Sequence, residues 1–200
     1  MGLGTADMAI SLDGLTAGPN QTLENPMGEG VDGRLHRWMF EEPEKNAAAL
    51  DKMSQHSAYI MGRNMFGPVG DGWDSAPEWH GWWGDEPLYH APVFVLTHDE
   101  REPLEMSGTT FYFVTDGLKS AFDQAKEAAG DGSIAIAGGA ATIRQYLAAG
   151  LIDELRLHLT PAILGQGERL LDGLAGVEFE PILVDGNSLV THLSYKVLRS

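Results

Sequence analysis

The 200-residue chain contains no cysteine. That absence excludes disulfides, thiolate zinc sites, iron–sulfur clusters and cysteine nucleophiles, and it accords with an expected cytoplasmic setting. Basic residues are scarce. Thirteen Lys and Arg stand against 29 Asp and Glu, a formal net charge of −16. So acidic a surface is unsuited to nucleic acid, whose phosphates need a basic footprint, and to an anionic membrane. No apolar run approaches the roughly 20 residues that a membrane-spanning helix needs. No basic segment precedes an apolar core at the N-terminus, so no signal peptide is expected. The seven histidines are scattered, with no H-x-x-x-H spacing and no His/carboxylate cluster, so no metal site is expected.

What is present is an alternation of short apolar runs with helical spacing. Strands are predicted at 6–12, 57–62, 91–97, 109–114 and 133–137. Between them, Ala47, Leu50, Met53 and Ser57 keep helical spacing, with Pro43 near the start. Leu118, Ala121, Phe122 and Ala125 do the same before a stop at Gly130, and Ile143, Leu147 and Leu151 form a third stripe. Residues 153–160 alternate cleanly, with Leu155, Leu157 and Leu159 on one face. The runs 177–184 and 188–198 flank Asp185-Gly186-Asn187, a hairpin signal. The pattern predicts one α/β domain over residues 1–200, with a central, mostly parallel sheet flanked by helices and a C-terminal antiparallel hairpin.

Three strand ends carry candidate chemistry. In "IAIAGGAATIRQYL" (134–147) a strand meets Gly138-Gly139 and turns into a helix. Glycine lets a backbone approach a phosphate, and the unpaired amides of a helix start carry positive potential. Tight helix–sheet packing is the alternative use of the same glycines. The stretch is neither a G-x-G-x-x-G fingerprint nor a P-loop. In "YIMGRNMFGP" (59–68), Arg63 follows Gly62 at a strand end, a place for a forked bond to phosphate. In "LTHDER" (96–101), Thr97, His98 and Arg101 follow a third strand. Ligands of open α/β sheets bind at such carboxyl ends, so the three together point to a phosphorylated cofactor.

The segments "MAISLDGLTAG", "YIMGRNMFGP", "FVLTH" and "IAIAGGAATIRQYLAAGLIDELRLHLTPAILGQGERLL" follow one another in this order. Together they resemble the dihydrofolate reductase-like superfamily, and within it the reductase domain of riboflavin biosynthesis. The resemblance covers nearly the whole chain and is most specific over 134–171. It implies a dihydrofolate reductase-like fold that binds NADPH. By motif, Gly138, Gly139, Ala140, Ala141 and Thr142 would hold the pyrophosphate, and Gly62, Arg63 and Asn64 the adenosine side. Thr97 and His98 would lie near the 2′-phosphate. Ala9 and the loop Leu12–Ala17 would border the nicotinamide, with Asp13 of that loop a substrate contact. The zinc deaminase partner of the bifunctional family members needs a P-C-x-x-C motif, which a cysteine-free chain cannot contain.

The implied reaction is hydride transfer to a 5-amino-6-(5-phosphoribosylamino)uracil-like substrate. Reduction of a pterin or other small heterocycle is the alternative, as is nucleotide or heterocycle binding without turnover. The acid that supports protonation in dihydrofolate reductases has one counterpart in "GVDGRLHRWMF" (30–40), namely Asp32. Arg34, His36 and Arg37 there suit an anionic substrate, or else are solvated positions on a helix. Residues 70–90 hold four of the five tryptophans. Trp73, Trp82 and Trp83 are candidates to stack on a flat substrate ring, with self-packing or a dimer contact as alternatives. The expected partners are a small-molecule substrate and, by resemblance, a second copy of the chain.

Overall fold

The computed structural model describes residues 2–67, 73 and 78–198. The strands in chain order are β1 (Gly4–Ser11), β2 (Leu15–Ala17), β3 (Ala58–Gly62), β4 (Val93–Leu96), β5 (Leu104–Met106), β6 (Thr109–Val114), β7 (Ile134–Ile136), β8 (Glu154–Thr160), β9 (Glu168–Arg169), β10 (Glu178–Gly186) and β11 (Thr191–Leu198). Nine form one sheet in the order β10-β11-β8-β1-β7-β3-β4-β6-β5, and β2 pairs with β9 apart from it. The contacts β8-β1, β1-β7, β7-β3, β3-β4 and β4-β6 are parallel. The hairpin β10-β11 and the short β5 run antiparallel at the two edges.

The helices are α1 (Arg37–Glu41), α2 (Ala47–Ser54), α3 (Arg63–Phe66), α4 (Leu118–Ala129) and α5 (Ala140–Ala148). The α4 helix is flanked by Gly117 and Gly130, and Gly130 takes φ 58°, a positive value that glycine tolerates and that ends the helix. Its Ala121 and Ala125 are fully buried against the sheet, joined by Ile143, Tyr146 and Leu147 of α5. Each fully buried Ile or Leu there contributes on the order of 2 kcal/mol. A second apolar cluster on the other side of β3 and β4 gathers Tyr59, Met61, Phe66, Trp73 and Phe111.

The strand positions follow the apolar runs, and the differences have local causes. The predicted helix around 47–57 begins as a single 3-10 turn at Glu44–Asn46 and ends at Ser54. The hairpin turn lies later than Asp185-Gly186-Asn187, because Asp185 and Gly186 still pair with His192 and Thr191. The turn closes with the Asn187 amide donating to the Val190 carbonyl at 2.9 Å. The strands β2, β5 and β9 are two or three residues long and have no periodicity to read.

Period-two alternation sorts one corner of the sheet. Ala6 and Ile10 of β1, Leu155 and Leu157 of β8, and Leu193, Tyr195 and Val197 of β11 face the main core. The opposite face therefore carries Asp7, Ala9, Arg156, His158, His192 and Ser194. Register places Asp7 beside Arg156, Ala9 beside His158, and His158 beside His192.

Candidate functional site

A cleft of about 930 Å³ runs across the carboxyl ends of β7, β3 and β4 and onto the polar face of β1 and β8. Its central feature is Gly138-Gly139, joined by a cis peptide bond, with Gly139 as the cap of α5. The Gly62 amide donates to the Gly138 carbonyl at 2.9 Å, which ties the ends of β3 and β7 together. Thr142 of α5 packs its hydroxyl against Gly62 where a Cβ would otherwise sit. A Cβ at Gly139 would meet no protein atom within 4 Å and would project into open space. No side chain caps the start of α5, which opens at the cleft.

Most of the residues predicted to bind cofactor converge here. Ala9, Gly62, Arg63, Asn64, Thr97, His98, Gly138, Gly139, Ala140, Ala141 and Thr142 all line the cleft. The Arg63 guanidinium lies over the Trp73 ring at 4.2 Å, which holds its plane at the mouth of β3. Burial pushes its pKa down, and nearby Asp99 opposes that. Thr97 Oγ1 accepts from the Asp99 amide at 3.1 Å, a local turn that presents His98 outward. These donors, a glycine turn and an uncapped helix start fit a phosphorylated dinucleotide. Arg101 does not line the cleft. It donates to the Trp79 carbonyl at 2.6 Å and covers Trp73 and Phe113.

The other predicted residues are placed differently. Leu12 is 58% exposed and does not line the cleft. Asp13 accepts from Ser11 Oγ at 2.6 Å and from the amides of Leu164 and Gly165 at 3.1 and 2.7 Å. Those bonds, led by Ser11 and Gly165, hold its pKa at about 2, so Asp13 is an ionised brace between two loops. Asp32 is exposed at φ 44°, in a tight turn whose other side buries Val31 and Leu35. It is away from the cleft, so the structure does not bring the expected proton donor to the site. Trp73 is buried, bonded to the Asp99 carbonyl at 3.1 Å and packed on Phe66 and Phe113. Trp82 and Trp83 do line the cleft, but on the side of α3, where Trp82 packs against Gly67 and Trp83 against Phe66. They stand with Arg63 rather than at the β1–β8 end. Within the aromatic-rich segment 70–90, residues 70–72 and 74–77 lie outside the described residues.

The β1–β8 end is walled by Asp7, His36, Trp38 and His158. Of the three basic residues in 34–37, His36 alone reaches the cleft. Arg34 donates to the carbonyls of Gly30, Val31 and Ile163, and Arg37 pairs with Glu41 at 2.7 Å. Burial first, and then nearby His158, push the pKa of His36 down. Asp7 and His158 are almost closed off, their side chains 8% and 3% exposed. Asp7 Oδ2 accepts from Arg156 Nη1 at 3.1 Å, and Asp7 Oδ1 lies 3.4 Å from His158 Nε2. Trp38 packs its ring on both His158 and His192, at 4.7 and 5.1 Å. The leucines of 153–160 make Asp7, His158 and His192 hard to see in the sequence. The available signal was polar residues interleaved at period two in runs destined for burial.

Among the described residues no group of three or more His, Asp or Glu is arranged to hold a metal ion, and no helix is long and apolar enough to cross a membrane. Comparisons with known proteins agree with the architecture. A candidate riboflavin biosynthesis protein from Shewanella sp. PV-4 superposes with a TM-score of 0.67 at 24% identity, over 98% of this chain and 99% of that one. A diaminohydroxyphosphoribosylaminopyrimidine deaminase/5-amino-6-(5-phosphoribosylamino)uracil reductase from Thermotoga maritima gives a TM-score of 0.61 at 14% identity, over 98% of this chain and 57% of that one. Dihydrofolate reductase from Enterococcus faecalis, complexed with NADP(H), gives 0.53 at 14%, over 98% and 96%. The fold is thus dihydrofolate reductase-like. The family model for the RibD C-terminal domain matches residues 3–190, nearly the whole length, and the chain belongs to that family.

Proposed function

We propose that the protein is an NADPH-dependent reductase of the riboflavin-biosynthesis type, acting on a 5-amino-6-(5-phosphoribosylamino)uracil-like substrate. The observation that carries this reading is the division of one cleft into two chemically different ends. One end has Gly138-Gly139, the uncapped start of α5, Arg63, Thr97 and His98, a set of donors suited to phosphates. The other has Asp7, His36, Trp38 and His158, suited to a polar ring and a proton transfer.

When bound, NADPH supplies the hydride. The protein's part is orientation and electrostatics. Gly139 and the amides of Ala140 and Ala141 would hold the pyrophosphate, and Arg63, with Thr97 and His98, the phosphate on the adenosine ribose. Trp82 and Trp83 would flank the adenosine end. Ala9, small and 7% exposed, leaves room for the nicotinamide beside β1. Trp38 backs the substrate end as a buried wall, and neutral His36 can accept or donate a hydrogen bond to the substrate heterocycle. A cytoplasmic homodimer is the setting proposed from the family resemblance.

The test is direct. Tryptophan fluorescence should be quenched by NADPH at micromolar concentration and by NADH only at much higher concentration. Loss of NADPH absorbance with 5-amino-6-(5-phosphoribosylamino)uracil, and not with dihydrofolate, supports the assigned substrate. The reverse preference points to pterin reduction, and tight binding without oxidation to a non-catalytic binder. Absence of any nucleotide binding overturns the reductase reading.

A further inference from the structure

The buried polar side chains behind the β1–β8 end of the cleft dictate one another's protons. Asn46 is the fixed point. Its Nδ2 donates to the Trp38 carbonyl at 3.0 Å and to the Glu42 carbonyl at 2.7 Å. Both amide hydrogens are thereby used, and turning the amide round would set oxygen against oxygen. Its Oδ1 therefore accepts, taking Asn187 Nδ2 at 2.7 Å and His192 Nε2 at 2.8 Å. Asn187 is fixed in the same way, because its Oδ1 accepts from the Leu189 amide at 3.1 Å. His192 must then carry a hydrogen on Nε2.

His192 Nδ1 faces His158 Nδ1 at 2.8 Å, so one of the two donates. The last nitrogen, His158 Nε2, lies 3.4 Å from Asp7 Oδ1. Neither of these two buried atoms has a hydrogen-bond partner among the described residues. If both imidazoles were neutral and Asp7 ionised, His192 would present a bare Nδ1. His158 would then be protonated on Nδ1, and its Nε2 lone pair would point at a carboxylate. Two buried acceptors facing each other cost free energy that one proton removes.

That proton has three possible seats: His158 Nε2, Asp7 Oδ1, or His192 Nδ1. The third also leaves a hydrogen on His158 Nε2, directed at Asp7. Burial first, and then nearby His158, push the pKa of His192 down, which favours the first two seats. The local charges agree. Arg156 binds Asp7 at 3.1 Å and Glu154 at 2.8 Å, so two carboxylates share one guanidinium and one further positive charge balances the set. The other groups facing this corner do not compete for the proton. Burial holds His36 and His56 toward the neutral form and keeps the Tyr59 phenol protonated. Asp185, beyond His192, acts on that ring in the opposite sense to its burial.

We propose that Asp7 and His158 hold one extra proton between them behind the wall of the cleft, with His192 and Asn46 as positioning residues that fix which nitrogen carries it. The inference stands apart from the reductase reading of the cleft.

The shared proton is tested on the unmodified full chain by long-range proton–nitrogen NMR of its histidines near neutral pH. His158 should show hydrogen at both nitrogens, or a strongly hydrogen-bonded Nε2. His192 should be the neutral Nε2–H tautomer. A His158 protonated only on Nδ1, beside an ionised Asp7 carboxylate, overturns the proposal without any variant. Asp7→Asn then tests the pairing, because an amide can still donate to His158 Nε2 but carries no proton to share. His158 should become the neutral Nδ1–H tautomer in that variant while His192 keeps its own, and a His158 with hydrogen on both nitrogens in Asp7→Asn overturns the assignment of the proton to the pair.

Discussion

His158 and His192 stand directly opposite each other on neighbouring antiparallel strands, with their Nδ1 atoms 2.8 Å apart. The contact needs one ring to donate and the other to accept. Asn46 settles the order by taking the hydrogen of His192 Nε2. The indole of Trp38 lies on both rings, so the tautomers are set in a site from which bulk water is largely excluded.

Asn46→Ala should destabilise the fold by about 3 kcal/mol, because it strands His192 Nε2, the Asn187 amide and the carbonyls of Trp38 and Glu42 together. Denaturant unfolding measures the loss. The NMR spectrum of His192 should also turn from one tautomer to a mixture, a change that general loosening of the fold does not produce.

Gly139→Val should leave stability nearly unchanged, because its φ of −73° suits valine and a Cβ there meets no protein atom within 4 Å. NADPH binding should fall beyond detection by fluorescence titration, since the side chain would occupy the space assigned to pyrophosphate. Unchanged affinity would remove Gly139 from the cofactor site.

Gly62→Ala should cost on the order of 2 kcal/mol by crowding the Thr142 hydroxyl. Combining it with Thr142→Ala should recover much of that loss. Thermal unfolding of the two single variants and the double variant measures the coupling.

Arg63→Ala should weaken NADPH binding about 10- to 100-fold and NADH binding far less, the loss of a charge-assisted contact to a phosphate that only NADPH carries. Parallel titrations with the two nucleotides check it. Equal losses would show that Arg63 acts through its packing on Trp73 at 4.2 Å rather than through phosphate.

Asp13 gives a pH signature. Its folded pKa is lowered from the ordinary 3.8 to about 2 by the Ser11 hydroxyl and the loop amides. A carboxyl depressed in this direction stabilises the fold fully above its unfolded value and loses that contribution as pH falls through the folded one. The wild type should therefore be more stable than Asp13→Asn at neutral pH. The gap should close between pH 3.8 and about 2. Urea unfolding across that range measures it.

Much of the glycine-rich end of the cleft, where a cofactor is proposed, was legible in the chain because its features are local. Gly138-Gly139 beside Ala140, and Gly62 beside Arg63, are neighbours in sequence at strand ends, and the parallel pairing of β3 with β7 brings the two turns together. The tryptophans were visible, but their side of the cleft was not, because it depends on Trp82 packing at Gly67 and Trp83 on Phe66. The acid in 30–40 was visible too, yet a left-handed turn at Asp32 carries it outward while Val31 and Leu35 point in.

The sequence by itself determined the alternation of strands and helices, the parallel core, the C-terminal hairpin and the glycine turns, because period, capping and turn chemistry act over a few residues. Only the tertiary structure decided the Asp7–His158–His192–Asn46 array. Its bonded members Asn46 and His192 alone lie 146 residues apart, and the four come from β1, β8, β11 and the turn before α2. Strand register and the burial of the leucines on the opposite face bring them together, and neither is written at any one position in the chain.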